Sequence, residues 1–125
     1  MSLTVVVVVP GLRLKSLNVR ENHFARARRV SEERLAVAAA LSQVGPTLTD
    51  ALRGAPRVLV RFTRIGGRPL DSDNCVGAFK GCRDEVAKWL RKSDAAGSGV
   101  DWAMPVAQEP GAGYAVRIEL STGGE

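Results

Sequence analysis

Aromatic residues are scarce in this sequence, and it has no apolar run long enough to cross a membrane. Aromatic residues make up 5% of the 125 residues. Proteins that hold single-stranded nucleic acid usually stack the bases on exposed aromatic rings, so this mode of binding is disfavoured. The apolar run at residues 5–9 is far shorter than the about 20 residues of a membrane-spanning helix, and no basic residues precede it as in an export signal. We interpret this run as a buried strand and expect no membrane partner.

Cysteines are also few, and their spacing argues against a disulfide bond. Cys75 and Cys82 lie in a helical pattern, where seven residues of rise would separate their Cα atoms by roughly 10 Å. A disulfide bond needs a much shorter separation. We therefore expect free thiols and a cytoplasmic, reducing compartment. A zinc site is not expected, because the additional cysteine and histidine ligands are missing.

Acidic residues are outnumbered by basic ones. The chain has 18 Lys and Arg against 13 Asp and Glu, a net charge of +5 and a pI near 9.9. Such a balance indicates an anionic partner, most often nucleic acid. Between residues 13 and 29, Glu21 is the one acid, and the basic residues are Arg13, Lys15, Arg20, Arg26, Arg28 and Arg29. The alternative interpretation of this cluster is a solvated surface without a specific partner.

The 45% apolar content and its periodicity predict a single α+β domain over residues 1–125. The predicted strands are residues 3–9, 57–65, 101–108 and 113–120, and the predicted helices are residues 22–44 and 72–90. Asn22 or Ser31 caps the first helix, and a Gly-Pro pair ends it. A loop or short helical turn follows at residues 47–56, and residues 121–125 form a frayed tail. The order β-α-β-α-β-β, with the last two strands paired as a hairpin, predicts a mixed sheet packed with two main helices.

The strand at residues 57–65 and the helix after it each have two distinct faces. Alternation places Val58, Val60 and Phe62 on one side of the strand, with Arg64 next in the same series. Projection of the helix at ~100° per residue gathers one apolar stripe, formed by Cys75, Phe79, Cys82, Val86, Trp89 and Leu90. The opposite side carries one polar line, formed by Asp73, Gly77, Lys80 and Asp84. The simplest interpretation of that line is a solvated helix face with a Lys80–Asp84 ion pair.

An acidic turn, with Asp71 and Asp73, joins this strand to this helix. Side chains two residues apart in extended backbone point to the same side, so both carboxylates can approach one point. Mg²⁺ is held by one or two carboxylates together with water and substrate phosphate, and it assists phosphodiester hydrolysis. The alternatives are an N-cap formed by Ser72 or Asp73 and a plain polar turn. An EF-hand calcium loop is excluded, because cysteine and valine replace its fifth-position ligand and sixth-position glycine.

Sequence spacing alone does not identify the residue that supplies the third carboxylate of such a site. Asp94 and Asp101 both follow the helix. Glycines at positions 97 and 99 indicate a mobile segment between these two acids, as is common near functional loops.

Several motifs form a pattern together. Residues 64–74 (RIGGRPLDSDN) precede residues 79–84 (FKGCRD), and Trp102 and residues 114–120 (YAVRIEL) follow. Upstream, residues 15–18 (KSLN) precede a His-Phe pair at 23–24 and the basic residues of 26–29. Together these motifs resemble the RusA-like Holliday junction resolvases, a family common in phages and prophages. The resemblance covers most of the chain and is firmest over residues 57–90.

The resemblance implies a homodimeric, Mg²⁺-dependent nuclease that cuts four-way, branched double-stranded DNA by paired nicks, with Mn²⁺ as an alternative ion. It implies that Asp71 and Asp73 are catalytic metal ligands. It also implies that Lys80 contacts phosphate or stabilises transition-state charge. Asp94 becomes the third acid, because the family carries an acidic pair where this chain has Ser93-Asp94. The DNA contacts we expect are Lys15, Asn18, Arg20, His23, Arg26, Arg28, Arg29, Arg68 and Asn74; a capping or packing role is the alternative for the histidine.

Two further hypotheses stand beside the nuclease. One, which follows from the missing acid of that pair, is a DNA-binding module of the same fold that is weakly active or inactive. The other is an interaction domain without a nucleic-acid role. Salt-dependent DNA binding separates the first two hypotheses from the third, and cleavage of a four-way junction separates the nuclease from the inactive module.

Overall fold

The computed structural model of the chain describes residues 2–15, 21–92, 99–104 and 106–122, with the side chains of residues 72–74 outside that description. The strands and helices, in chain order, are β1 (Thr4–Pro10), α1 (His23–Leu41), α2 (Pro46–Gly54), β2 (Val58–Ile65), α3 (Ser72–Ala78), α4 (Lys80–Leu90), β3 (Val100–Trp102), β4 (Ala107–Glu109) and β5 (Ala115–Thr122). No helix in these ranges is long and apolar enough to span a bilayer.

One mixed sheet organises the domain and confirms the α+β prediction. Its strand order is β1-β5-β2-β3, and β4 pairs with the second half of β2. Strand β5 is antiparallel to both β1 and β2, whereas β3 and β4 are parallel to β2. Strands β1 and β2 therefore run in the same direction, and their carboxyl ends lie at the same end of the sheet.

The helices cover one face of this sheet, and alternating strand residues point into the core beneath them. In β1 the buried side chains are Val5, Val7 and Val9, while Val6 is 54% and Val8 49% exposed. The prediction that this run is a buried strand is therefore only half right. Strand β1 lies at the edge of the sheet, and the helices that the structure describes cover one of its faces.

The first helix begins as one of the two alternatives predicts. The side chain of Asn22 accepts a 2.8 Å hydrogen bond from the N–H of Ala25, as an N-cap does, so Ser31 is not the cap. The helix ends at Leu41, three residues before the predicted end. Residues 46–54 form a helix of their own, because proline is well tolerated in the first turn of a helix.

The second predicted helix is two helices, α3 and α4, that meet at Phe79. Phe79 has φ −90° and ψ 3°, and its N–H donates to the Val76 carbonyl at 3.2 Å. Its buried ring packs on Phe62 with ring centroids 5.0 Å apart. Glycines at positions 77 and 81 have low helix propensity and weaken the helix on both sides of this residue. The prediction of one continuous helix over residues 72–90 is therefore wrong, and the side chain of Asp73, which begins the predicted polar line, lies outside the described part of the chain.

The apolar stripe of these helices is confirmed. Five of its six members are buried, namely Cys75, Phe79, Cys82, Val86 and Leu90, and Trp89 is partly buried against them. Both cysteines are free thiols, as predicted. Burial raises the pKa of Cys82 to about 12 and also raises the pKa of Cys75.

The prediction that the last two strands pair as a hairpin is wrong. Strand β5 inserts between β1 and β2, and the segment predicted as one strand at residues 101–108 instead forms β3 and β4, both parallel to β2. The predicted frayed tail also begins too early. Thr122 belongs to β5, and its N–H donates to the Leu3 carbonyl at 2.9 Å; residues 123–125 lie outside the described part of the chain.

Candidate functional site

The acidic turn lies at the carboxyl end of β2, in a segment that is held tightly on both sides. Gly66 has φ +84°, and a Cβ at this position would lie 2.3 Å from the carbonyl oxygen of Gly113, so a side chain does not fit. Farther along, the amide of Gln108 holds Leu70. The N–H of Leu70 donates to Gln108 Oε1, and Gln108 Nε2 donates to the Leu70 carbonyl, both at 2.8 Å. The chain therefore reaches Asp71 from a fixed position.

Asp71 occupies the position directly before α3. Its carbonyl accepts a 2.9 Å hydrogen bond from the N–H of Cys75, and its side chain is exposed. Because the helix begins at Ser72, Asp73 lies in the first helical turn rather than in extended backbone. The extended-backbone argument for placing both carboxylates on one side is therefore wrong. The side chains of Asp73 and Asn74 lie outside the described part of the chain.

The two candidates for the third acid have different positions. Asp94 lies outside the described residues. Asp101 accepts a 3.0 Å hydrogen bond from Arg57 Nε and pairs in register with Leu59, near the amino end of β2. Asp71 follows the carboxyl end of β2, which lies roughly 20 Å from Leu59 at the rise of a strand. The fold thus separates Asp101 from the acidic turn. Among the residues that the structure describes, no three acidic, histidine or cysteine side chains form a metal-binding group.

Lys80 begins α4, one short helix beyond the acidic turn. Its ammonium lies 3.5 Å from Asp84 Oδ2, which confirms the predicted ion pair. The lysine side chain is 68% exposed, so this pair contributes little to stability. Lys80 is thus held at the surface by a weak partner.

A cation-lined pocket adjoins the acidic turn. It is lined by Arg13, Leu14, Lys15, Arg64, Gly67, Arg68, Leu70 and Tyr114. Four of these residues are cationic and none is acidic. The guanidinium carbon of Arg13 lies over the ring of Tyr114, 4.8 Å from its centroid, a cation–π contact that orders the arginine. Leu70 lines the pocket and immediately precedes Asp71.

The basic start of α1 lies near the cation-lined pocket. Together with the hydrogen bond from Arg29, the charge of Lys15 in the pocket wall lowers the pKa of Glu21, directly before the capping residue of α1. A Cβ at Gly81, in the first turn of α4, would lie 3.5 Å from the side chain of Arg34 and 3.6 Å from that of Val30, so the start of α4 lies beside the middle of α1. Arg28 is exposed. His23 is also exposed and stacks on Phe24, with ring centroids 4.1 Å apart.

Two carboxylates neutralise part of this basic helix start. Arg29 donates to Glu21 at 2.9 Å and to Glu33 at 3.0 Å, and Arg26 lies 3.6 Å from Glu21. The hydrogen bond from Arg29 lowers the pKa of Glu21, whereas burial raises the pKa of Glu33 despite the same arginine. Arg29 is therefore less suited to binding phosphate than the exposed Arg28. The predicted DNA contacts Asn18 and Arg20 lie outside the described residues.

The pattern of the sequence left some residues of this site unassigned. Gln108, Arg64 and Tyr114 were not candidates, although alternation along β2 did place the arginine in the inward series. A charged residue at an inward strand position is the signal that could have identified it.

No model of a known protein family matches this chain, and no curated protein matches it either.

Proposed function

We propose that this protein is a Mg²⁺-dependent, structure-selective endodeoxyribonuclease of the cytoplasm that resolves four-way DNA junctions by paired phosphodiester cleavage. The observation that supports the proposal best is the position of Asp71 next to a pocket lined by Arg13, Lys15, Arg64 and Arg68. The fold gathers cations from two distant stretches of the sequence, residues 13–15 and 64–68, beside a carboxylate. A hydrolase that acts on a phosphodiester needs this combination of charges.

The acids that would hold the ion are Asp71, Asp73 and Asp94. All three offer carboxylate oxygens, the donors that Mg²⁺ prefers, and Mn²⁺ accepts the same ligands. The exposed position of Asp71, directly before α3, suits a ligand that must share its cation with a large substrate. When bound, the ion would activate water and neutralise charge on the phosphoryl group. Lys80 would stabilise the negative charge that develops on the same group.

The DNA would lie across the basic end of the domain. Phosphate contacts from Lys15, Arg26, Arg28 and Arg68 give affinity that depends on salt and not on base sequence. Further contacts are proposed for Asn18, Arg20, His23 and Asn74. Arg29 would act mainly through its ion pairs, by holding the start of α1 in place.

A second copy of the chain is the proposed partner, and the edge strand β1 supports this assignment. Gly11 N–H donates to Tyr114, and Thr122 N–H to Leu3. In the register of the β1–β5 ladder, these bonds belong to odd-numbered residues directly before and after the first strand. The backbone N–H and C=O groups of the odd-numbered residues of β1 therefore point toward β5. The N–H and C=O groups of Val6 and Val8 therefore point away from the sheet, and no described strand pairs with them. A strand of consecutive valines can pair antiparallel with its own copy.

The first experiment compares binding with cleavage on a synthetic four-way junction. We expect tight binding in EDTA, weakening steeply with salt, and paired nicks when Mg²⁺ is added. Binding without cleavage by the wild-type protein would favour the inactive DNA-binding module. Absence of binding, or binding that is indifferent to salt, would favour the interaction domain.

A further inference from the structure

Arg64 is a buried arginine without a carboxylate partner among the described residues. It is 6% exposed and belongs to the inward series of β2. All its hydrogen-bond acceptors are neutral. Arg64 Nε donates to Leu14 O at 3.3 Å, and Nη1 donates to Arg68 O at 2.8 Å, to Gly66 O at 3.4 Å and to Gln108 Oε1 at 3.4 Å. Buried arginines are normally paired with an anion, because desolvation of an uncompensated charge is costly.

The remaining guanidinium nitrogen of Arg64 lies beside Gly67, at the wall of the cation-lined pocket. Nη2 donates to no acceptor that the structure describes, and it lies 3.3 Å from the position that a Cβ would take on Gly67. Gly67 lines the pocket together with Arg64. The absence of a side chain at Gly67, whose φ is +74°, leaves Nη2 accessible there. The guanidinium of Arg64 therefore lines the same space as Arg13, Lys15 and Arg68.

We propose that this pocket binds one phosphate group of the DNA backbone, with Arg64 Nη2 as the fixed donor and Arg13, Lys15 and Arg68 as the surrounding cations. The four neutral acceptors hold the guanidinium in one orientation, so little entropy is lost when the phosphate binds. Each of the two non-bridging oxygens of a backbone phosphate can accept hydrogen bonds from more than one donor, and bonds from charged donors are the strong ones. The assignment rests on the proposed function, because Leu70 in the pocket wall precedes Asp71 and would place this phosphate next to the cleavage site.

The test measures DNA binding in EDTA, so that it is independent of cleavage. Fluorescence anisotropy of a labelled duplex is recorded at several salt concentrations for wild type, Arg13→Gln, Arg68→Gln and Arg64→Lys. The control is Arg57→Gln, which removes an exposed arginine at the opposite end of β2. Loss of one phosphate contact should lower affinity by about tenfold and reduce the salt slope by about 1. Arg64→Lys keeps the positive charge but removes the planar set of guanidinium N–H donors. It should weaken DNA binding while circular dichroism shows an unchanged fold.

Competition with inorganic phosphate distinguishes a pocket that binds a phosphate of the DNA backbone from one that binds a free phosphate ion. The proposal expects millimolar phosphate to compete with DNA for wild type but not for a protein with both Arg13→Gln and Arg68→Gln. If phosphate raises the melting temperature of wild type only, and DNA affinity is the same in all variants, the pocket serves a free phosphate and the DNA assignment is wrong. Equal affinities and equal salt slopes for Arg68→Gln and Arg57→Gln, without any phosphate effect, would overturn the site altogether. A protein that binds as expected but does not cut would leave this site standing and remove only the nuclease.

Discussion

The side-chain amide of Gln108 forms two hydrogen bonds with the backbone of Leu70, each 2.8 Å long. Gln108 belongs to β4 and pairs in register with Arg64 of β2, so its side chain ties Leu70 to the sheet. It fixes the chain at the residue before Asp71. The position of the acidic turn therefore depends on a strand that lies about 40 residues later in the sequence.

Replacing Gln108 tests whether this pairing positions the acidic turn. Gln108→Ala removes both bonds and should cost about 1–3 kcal/mol of unfolding free energy. It should reduce junction cleavage by about tenfold to a hundredfold, because small displacements of catalytic groups are costly. Urea unfolding and single-turnover nicking measure the two effects. Gln43→Ala, at an exposed position after α1, is the control and should change neither quantity. Unaltered cleavage by Gln108→Ala would mean that the turn holds its position without the amide.

Lys80 is expected to matter for chemistry and not for folding. Exposed ion pairs four residues apart in a helix contribute less than about 0.5 kcal/mol, so Lys80→Ala should leave the urea midpoint nearly unchanged. The same change should lower the cleavage rate by about a hundredfold while DNA binding falls only slightly. Lys88→Ala, in the last turn of the same helix, removes an equal charge and should cut normally. A Lys80→Ala protein that is as fast as wild type would remove this lysine from the proposed site.

The thiols should be inert in the folded protein. Burial raises the pKa of Cys82 from 9.0 to about 12, so at pH 8 the thiolate is almost absent and alkylation is slow. We expect no reaction of native protein with a disulfide reagent at pH 8, and reaction of both cysteines in urea. Because the pKa is raised in the folded state, its contribution to stability is complete below pH 9 and is lost as the pH rises toward 12. A Cys82→Ala protein should lose less stability between these pH values, and fast labelling of the native wild type would contradict the burial.

Strand β1 makes a prediction about assembly. Val8→Pro removes an N–H group that points away from β5, so it should leave the ladder within one subunit intact. It should nevertheless abolish pairing with a second copy. Sedimentation velocity should show a dimer for wild type and for the control Val8→Thr, and a monomer for Val8→Pro. A wild-type monomer at micromolar concentration, or a dimeric Val8→Pro protein, would exclude pairing through this edge.

The parts of the fold that depend on local patterns were predictable. Alternation identified β2 and its inward series, and the apolar stripe through Cys75, Cys82 and Val86 identified the core side of the helices. These features follow from the periods of strands and helices. The break at Phe79 was not predicted, although the glycines at positions 77 and 81 on either side of it are a local signal of a weakened helix.

The parts of the fold that depend on the pairing of distant segments were not predictable from the sequence. Strand β5 could form a hairpin with the preceding strand or insert between β1 and β2, and the pattern of its residues suits both arrangements. The site shows the same division. Asp71 and Lys80 are apparent from local motifs, whereas the Gln108 pairing and the pocket around Arg64 exist only because separate segments meet at the end of β2. The fold also removes Asp101 from the candidates, by placing it near the amino end of the strand.

The most direct test of the proposed function is the nicking of a synthetic four-way junction in Mg²⁺ by wild type, Asp71→Asn and Asp101→Asn. The proposal predicts paired nicks by wild type and by Asp101→Asn, and a rate at least about a hundredfold lower for Asp71→Asn, with junction binding in EDTA retained by all three. A wild-type protein that does not nick the junction, or an Asp71→Asn protein that nicks it as fast as wild type, would contradict the proposal.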